Sequence, residues 1–340
     1  MRDYLAVSTS RPQTRALAAI SGLWMSRLVG FAAKTCLFDT VAACDGDPAE
    51  IARATGLAID PLVRALEGLV HLGFLAKADE RYALTDTGRL LCAGPDGGFR
   101  DMAVLWNDYF DGAWSELDTT LRTGQSGFEA HFGEPLFARI GRDPAAAKHF
   151  DAAMRGLSRL IAQEASAAIA ARVRAIGHSS ICDVGGGDGT LIAALAGQNP
   201  ALQCLLFEQP HVVGANAAAL KKRDVATAGG SFFESVPEAD AHILSNVLHD
   251  WSDDDALRIL KTVRQAQTPR STLFVLEMML GGDSEPLLAR STDLNMMVLT
   301  GGRERTKCAF EALLHAAGYR IIGVQPLAEL TCLLEAVPEP

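Results

Sequence analysis

A glycine corner, two strand-end acids and one histidine are the residues whose types and spacing suit chemistry. Residues 181–189 read Ile-Cys-Asp-Val-Gly-Gly-Gly-Asp-Gly, and Thr190 then opens the helical stretch TLIAALAG. Glycine takes positive φ at little cost and lets a ligand reach the backbone with no Cβ in the way. A strand, a glycine turn and a helix N-terminus form the nucleotide-binding corner of a doubly wound sheet. The spacing is G-x-G-x-G over Gly185, Gly187 and Gly189, and Thr190 stands where a dinucleotide fingerprint needs its last glycine. Asp183, at the strand's end, opposes a pyrophosphate and suits a ligand bearing an ammonium group. Glu208 ends the next apolar run, Gln203–Phe207, about one βαβ unit on, where an acid accepts two ribose hydroxyls. S-adenosylmethionine carries an ammonium, a carboxylate and a ribose. The loop N–H groups suit its carboxylate, Asp183 its amine and Glu208 its ribose. Taken singly, the corner also reads as a structural turn, and Glu208 as a solvated strand end.

His249 follows the apolar run AHILSNVL and precedes Asp250, Trp251 and a helix opening at Ser252, where Ser252 and Asp255 make a weak capping box. This puts His249 at the carboxyl edge of a parallel sheet, where such sheets bind ligands. Imidazole, with an ordinary pKa of about 6.5, is the side chain best placed to accept a proton near neutrality. A lone histidine can also be structural. The acid run Asp253–Asp255 reads as a solvated helix start, and no metal site is expected.

DVGGGDG at 183–189, FEQP at 207–210, GGSFF at 229–233, LHDWSDDD at 248–255 and GGRERT at 301–306 resemble the class I S-adenosylmethionine-dependent O-methyltransferases. More narrowly, they resemble the plant caffeate/flavonoid type and the bacterial natural-product type, which share a helical dimerisation domain. The resemblance covers nearly the whole chain. It implies His249 as general base, with Glu277 and Glu304 flanking it, one steering the imidazole and the other bordering the acceptor. On the residues alone, Glu277 is an ordinary strand-end acid, and Glu304 is a salt-bridge partner of Arg303 or Arg305. The resemblance also implies cofactor contacts from Gln209, Gly230, Ser231, Phe232, Phe233 and Ser245, with the two phenylalanines sandwiching adenine. Trp106, Met154, Asp250, Asn295 and Met296 are expected to line the acceptor side, and Asp250 also to anchor its loop. Two positions depart from the pattern. Ser231 stands where the family commonly has an acid for the adenine amino group, and Ser245 where it commonly has a lysine.

The elements that must position these residues follow from periodicity. Strands are expected near 181–184, 203–207, 225–228, 241–247, 271–277, 319–325 and 330–335, alternating with helices from 179 onward, the signature of a parallel α/β sheet. Ahead of it, residues 14–44 are helical and apolar almost all round, implying burial on more than one side. Residues 47–88 read helix, turn, helix, hairpin: Asp47-Pro48 to Gly56, Asp60-Pro61 to Gly73, then a wing of Leu75–Ala78 and Tyr82–Thr85. A winged helix raises DNA reading, but its second helix offers only Arg64 and His71 against Asp60 and Glu67. Dimerisation is the expected role. The domains expected are 1–95 (winged-helix-like, dimerising), 96–178 (a helical bridge rich in aromatics, with a long helix Asp151–Ile176) and 179–340 (Rossmann-like).

Composition narrows the partners. With 31 basic and 41 acidic residues the net charge is −10, which disfavours nucleic acid. No uninterrupted apolar run of eighteen residues occurs, and Met1–Gln13 is polar and lacks a signal-peptide core. The seven cysteines are scattered without CxxC spacing, as expected of a reducing cytoplasm. The expectation is a homodimeric cytoplasmic enzyme methylating a hydroxyl of a small aromatic or polyketide-like molecule. Two alternatives are an enzyme of the same fold that holds S-adenosylmethionine for hydroxylation, decarboxylation or rearrangement, and a ligand-sensing winged-helix regulator.

Overall fold

A computed structural model describes residues 11–94, 98–281, 285, 288–327 and 331–340. The stretch before Arg11 and the expected boundary at 95/96 lie outside the described residues. The chain folds as two units, one of residues up to Asp111 with Ile140–Gly156, the other of Gly112–Arg139 with Leu157–Pro340. The expected 96–178 bridge is thus divided between them.

In the first unit, Asp47 caps the helix Pro48–Thr55 by accepting N–H bonds from Ala49 (2.9 Å) and Glu50 (3.1 Å), and Gly56 ends it at φ 71°. The next helix, Ile59–His71, starts one residue before Asp60, which sits in its first turn rather than capping it. Strands β1 (Leu75–Ala78) and β2 (Arg81–Leu84) pair antiparallel, Leu75 opposite Leu84, as the wing. Leu37, Phe38, Ile51, Leu62, Leu66, Leu69 and Tyr82 form the core.

The helix Pro12–Lys34 is not buried on more than one side within one chain. Only Gly30, Ala32 and Ala33 are buried, while Ile20 and Trp24 stay 71% and 65% exposed, because its first turns meet little of the unit. By length and composition alone it is long and apolar enough to cross a membrane, a test that core helices also pass. The segment from Phe99 is broken into Phe99–Leu105, a π-helical turn at Trp106–Phe110 and Asp111–Ser115. The long helix begins at Pro144, seven residues earlier than expected, because Asp143 accepts from Ala146 N–H (3.1 Å) and a proline suits the first helical position.

The second unit is built on a seven-stranded sheet ordered β10-β11-β7-β6-β3-β4-β5. The strands are β3 (Ser180–Val184), β4 (Gln203–Glu208), β5 (Val225–Gly229), β6 (Ala241–Ser245), β7 (Thr272–Glu277), β10 (Tyr319–Leu327) and β11 (Thr331–Pro338). Two short strands, β8 (Met279–Leu280) and β9 (Arg305–Thr306), pair separately. The five central strands are parallel, and β11 and β10 add an antiparallel edge. β3 and β7 are buried on both faces, as parallel strands between helices must be. Strand order reverses at β3, with β4 on one side and β6 on the other. That opens a crevice at the strands' carboxyl ends. β6 stops at Ser245 rather than 247, because Asn246 takes φ 50° and leaves the ladder.

Candidate active site

The glycine corner has the backbone its composition implied. Gly185, Gly187 and Gly189 sit at φ 71°, 59° and 78°, and Gly189 leads into the helix Thr190–Gln198. Gly185 N–H donates to Phe207 O (2.8 Å), tying the loop to β4. A side chain on Gly187 would meet nothing within 4 Å, so this turn faces open space. One on Gly185 would come 3.0 Å from Val247 and 3.5 Å from Phe232. Glu208 closes the corner, its two carboxylate oxygens accepting from Gly187 N–H (3.2 Å) and Gln209 N–H (2.6 Å). Each oxygen keeps lone-pair capacity for a hydroxyl donor. An open cradle of positive-φ glycines beside a strand-end carboxylate fits S-adenosylmethionine.

Asp183 differs from its expected role. Its carboxyl is fully buried beneath the loop, both oxygens without a hydrogen-bond partner, so this geometry offers a ligand amine no direct contact. A Cβ on Gly186 would fall 2.4 Å from it, which explains the middle glycine. Burial, then the nearby charges of Glu208 and Asp188, push Asp183 up to about 7.

The aromatic pair also departs from expectation. Phe232 and Phe233 lie with centroids 5.0 Å apart and planes tilted by 59°, so they cannot sandwich a flat ring. Both rings stand edge-on to Trp251, Phe232 at 6.0 Å and Phe233 at 4.8 Å; Phe232 also reaches towards Gly185, and Phe233 lies under Arg258 (5.0 Å). Of the two, Phe232 is the ring beside the glycine loop. Gly230 is required by the Phe207 ring, 2.7 Å from where its Cβ would lie. Ser231 Oγ accepts from Phe233 N–H (3.3 Å), and Ser245 ends β6, half-buried.

His249 sits on a three-residue 3₁₀ turn, Leu248–Asp250, at the carboxyl end of the β6 segment. Its Nδ1 lies 2.8 Å from Glu304 Oε1 and 3.4 Å from Glu277 Oε2, and its Nε2 lies 3.8 Å from Asp250 Oδ1. Glu304 is thus the carboxylate in hydrogen-bond contact with the imidazole. Glu277 has a second task, since its Oε1 accepts backbone N–H bonds from Val247 (3.1 Å), Leu248 (2.8 Å) and His249 (3.3 Å). Burial alone would lower the imidazole's pKa, but Glu277, Asp250 and Glu304 outweigh it and raise His249 to about 10. Burial raises Glu277 to about 7 and Asp250 to about 6, against the opposing pull of His249. The donor atoms of His249, Glu277 and Glu304 lie within 4.8 Å of one another, a spacing a metal ion could span; Glu304 Oε1 meets His249 Nδ1, while Glu277 Oε2 and Glu304 Oε2 are buried without a hydrogen bond.

The segment 301–306 wraps this turn. Gly301 turns at φ 77°, and Gly302 packs so closely that a Cβ would sit 2.0 Å from His249 O. Arg303 N–H donates to His249 O (2.8 Å), and Glu304 N–H donates to Asp293 Oδ1 (2.9 Å). Arg303 and Arg305 do not pair with Glu304. Both reach Asp253, at 3.5 and 2.9 Å, so Asp253 is more than a solvated helix start. Ser252 does cap that helix, accepting from Asp255 N–H (3.2 Å). Sequence reading missed the roles of Arg305 and Gly302, whose local signal was the glycine-flanked GGRERT run, and the holding role of Asp293, which had none. Asn295 Oδ1 accepts from Trp114 Nε1 (3.1 Å), and Met296 is half-buried on the same helix. Trp106 and Met154 belong to the first unit, the former 46% exposed on the π-helical turn.

A sheet of this order, with a glycine corner after β3, an acid ending β4 and a histidine turn after β6, defines an S-adenosylmethionine-dependent methyltransferase. A family profile described as the O-methyltransferase domain matches residues 114–320, and one described as the O-methyltransferase dimerisation domain matches residues 17–94. The chain belongs to this O-methyltransferase family and uses S-adenosylmethionine. It is 30% identical over 328 residues to the phenazine O-methyltransferase PhzM of Lysobacter antibioticus, covering 95% of each chain. It is 34% identical over 332 residues to the 3-amino-4-hydroxybenzoate 4-O-methyltransferase of Streptomyces cremeus, covering 95% of this chain and 89% of that one. Among solved structures it is similar to human N-acetylserotonin methyltransferase in complex with S-adenosylmethionine, with TM-score 0.86, 25% identity, and 98% and 99% of the two chains covered.

Proposed function

We propose that this enzyme methylates a phenolic hydroxyl of a small aromatic metabolite, with His249 as the base. The observation that carries the reading is the 2.8 Å contact between His249 Nδ1 and a buried Glu304, on a turn whose amides Glu277 holds. Gly185, Gly187, Glu208, Gln209, Gly230, Ser231, Phe232 and Ser245 would hold the cofactor. When bound, S-adenosylmethionine supplies an electrophilic methyl group on a sulfonium centre.

With Nδ1 on Glu304, Nε2, 3.8 Å from Asp250 Oδ1, is the nitrogen left to take the acceptor's proton. Three carboxylates stabilise the resulting imidazolium, and their effect brings His249 near the phenol's own pKa of about 10. Matched acid and base exchange a proton at little cost. The same proton count arises when a phenolate meets an imidazolium already formed, so the complex is reached from either side. Trp114, Asn295 and Met296 are assigned to the acceptor side, and Asp250 to the charge around Nε2.

The reading also takes the enzyme as a cytoplasmic homodimer. The exposed apolar residues of Pro12–Lys34 and the dimerisation-domain match support the dimer, and the seven unpaired cysteines support a reducing compartment. A net charge of −10 favours a small-molecule partner over nucleic acid.

The test is incubation with methyl-labelled S-adenosylmethionine and a panel of hydroxybenzoates, aminohydroxybenzoates and hydroxyphenazines, read by product mass and S-adenosylhomocysteine release. His249→Ala should bind cofactor within threefold of wild type by calorimetry and lose about 10²–10⁴ in turnover. Unchanged turnover in that variant would remove His249 from the mechanism. Product without a gained methyl would overturn the reaction itself.

A further inference from the structure

We infer that Arg305 is a positioning residue for His249, holding the carbonyl side of its turn while Glu277 holds the amide side; this rests on the reading of His249 as base.

Arg305 is one of the largest fully buried side chains in the protein, with 1% of its side chain exposed. Burying a guanidinium is costly unless its N–H groups are paired. Here Nη1 donates to Leu248 O (2.7 Å), Nη2 to Trp251 O (2.9 Å) and Nε to Asp253 Oδ1 (2.9 Å). Leu248 precedes and Trp251 follows the pair His249-Asp250, so one planar fork spans the turn. Opposite it, Glu277 takes three successive amides, from Val247 to His249. A lone 3₁₀ turn has poor internal hydrogen bonding and holds no fixed direction unaided. The two holders are themselves in register: Met279 pairs with Arg305 in the β8–β9 ladder, two residues beyond Glu277.

The charge pattern agrees. Glu304, Glu277 and Asp250 face the imidazole. Arg305 is the buried cation beside them, whereas the Arg303 guanidinium is 56% exposed and turned to Asp253. A lysine would keep that charge but not the rigid fork that spans two carbonyls.

The experiment uses the whole enzyme, the acceptor giving most methyl incorporation in the panel above, and NMR titration of histidine-labelled protein with His249→Ala as the assignment control. Arg305→Lys should lower kcat ten- to a hundredfold, leave the cofactor Kd within threefold and leave the His249 midpoint in place. Arg305→Met should lose at least as much kcat and raise the midpoint by about one pH unit, one cation having left the carboxylates. Asp253→Ala, which frees Arg305 Nε and the exposed Arg303 guanidinium but leaves both carbonyl contacts of Arg305, should cost kcat several-fold. Variants that melt earlier yet keep wild-type kcat and midpoint would show Arg305 to be structural only and overturn the inference. If Arg305→Met does not fold, wild-type kcat in both Arg305→Lys and Asp253→Ala overturns it equally. Retained turnover in His249→Ala would sink the base reading, whereas a dead His249→Ala beside a fully active Arg305→Lys would sink this inference alone.

Discussion

Replacing Glu304 by glutamine removes one charge at one contact and nearly nothing else in shape. The carboxylate lies 2.8 Å from His249 Nδ1 and is buried. Taking the charge centres as ~4 Å apart in an effective dielectric of ~20, their attraction is about 4 kcal/mol. That corresponds to roughly three pKa units. The His249 midpoint should therefore fall from about 10 towards the ordinary histidine range, stopping short of it because Glu277 and Asp250 remain. The glutamine carbonyl still accepts from Nδ1, so the tautomer survives. With the proton only partly transferred in the transition state, roughly a third of that attraction is lost there, about 1.5 kcal/mol, or roughly tenfold in kcat. The assay is imidazole titration by NMR beside kcat and calorimetric cofactor affinity. A midpoint unmoved by half a unit, with kcat within twofold of wild type, would show that Glu304 does not steer the imidazole.

Other consequences follow from the same geometry. Gly302→Ala places a Cβ 2.0 Å from His249 O and 2.6 Å from Asp250 C, so overpacking should cost ~1–3 kcal/mol in chemical denaturation and displace the turn, lowering kcat more than tenfold. Gly197→Ala, with open space around it on a helix, is the control and should be neutral or stabilising. Stability should fall as pH rises. His249, raised from its unfolded value near 6.5 to about 10, contributes stability that is present in full below that unfolded value and lost as pH climbs through 10. Asp183 and Glu277, each raised to about 7, add the same sign at lower pH, because the folded protein keeps protons that the unfolded chain releases. Thermal melts from pH 5 to 10 should show the decline, and His249→Ala should flatten it above pH 7. A flat wild-type curve would contradict the charge cluster. Trp24→Asp, at an exposed apolar position of Pro12–Lys34, should shift size-exclusion mass from dimer towards monomer; an unchanged dimer would place the interface elsewhere.

Sequence by itself determined the elements whose signals are local. Gly185, Gly187 and Gly189 needed positive φ, and the chain says so by offering glycine there. Asp47, Ser252 and the alternating strands and helices announced themselves through capping and periodicity, as did the placing of His249 after β6. Tertiary structure decided what depends on direction and on contacts between distant segments. That Asp183 turns under the loop, that Phe232 and Phe233 tilt against each other on Trp251, and that Glu277 spends one oxygen on three amides follow from packing between distant segments. Arg305 lies more than fifty residues from the carbonyls it holds, and no spacing rule reaches that far. Local propensity records what one backbone position can adopt, whereas the partner of a buried charge is settled only when the whole core closes around it.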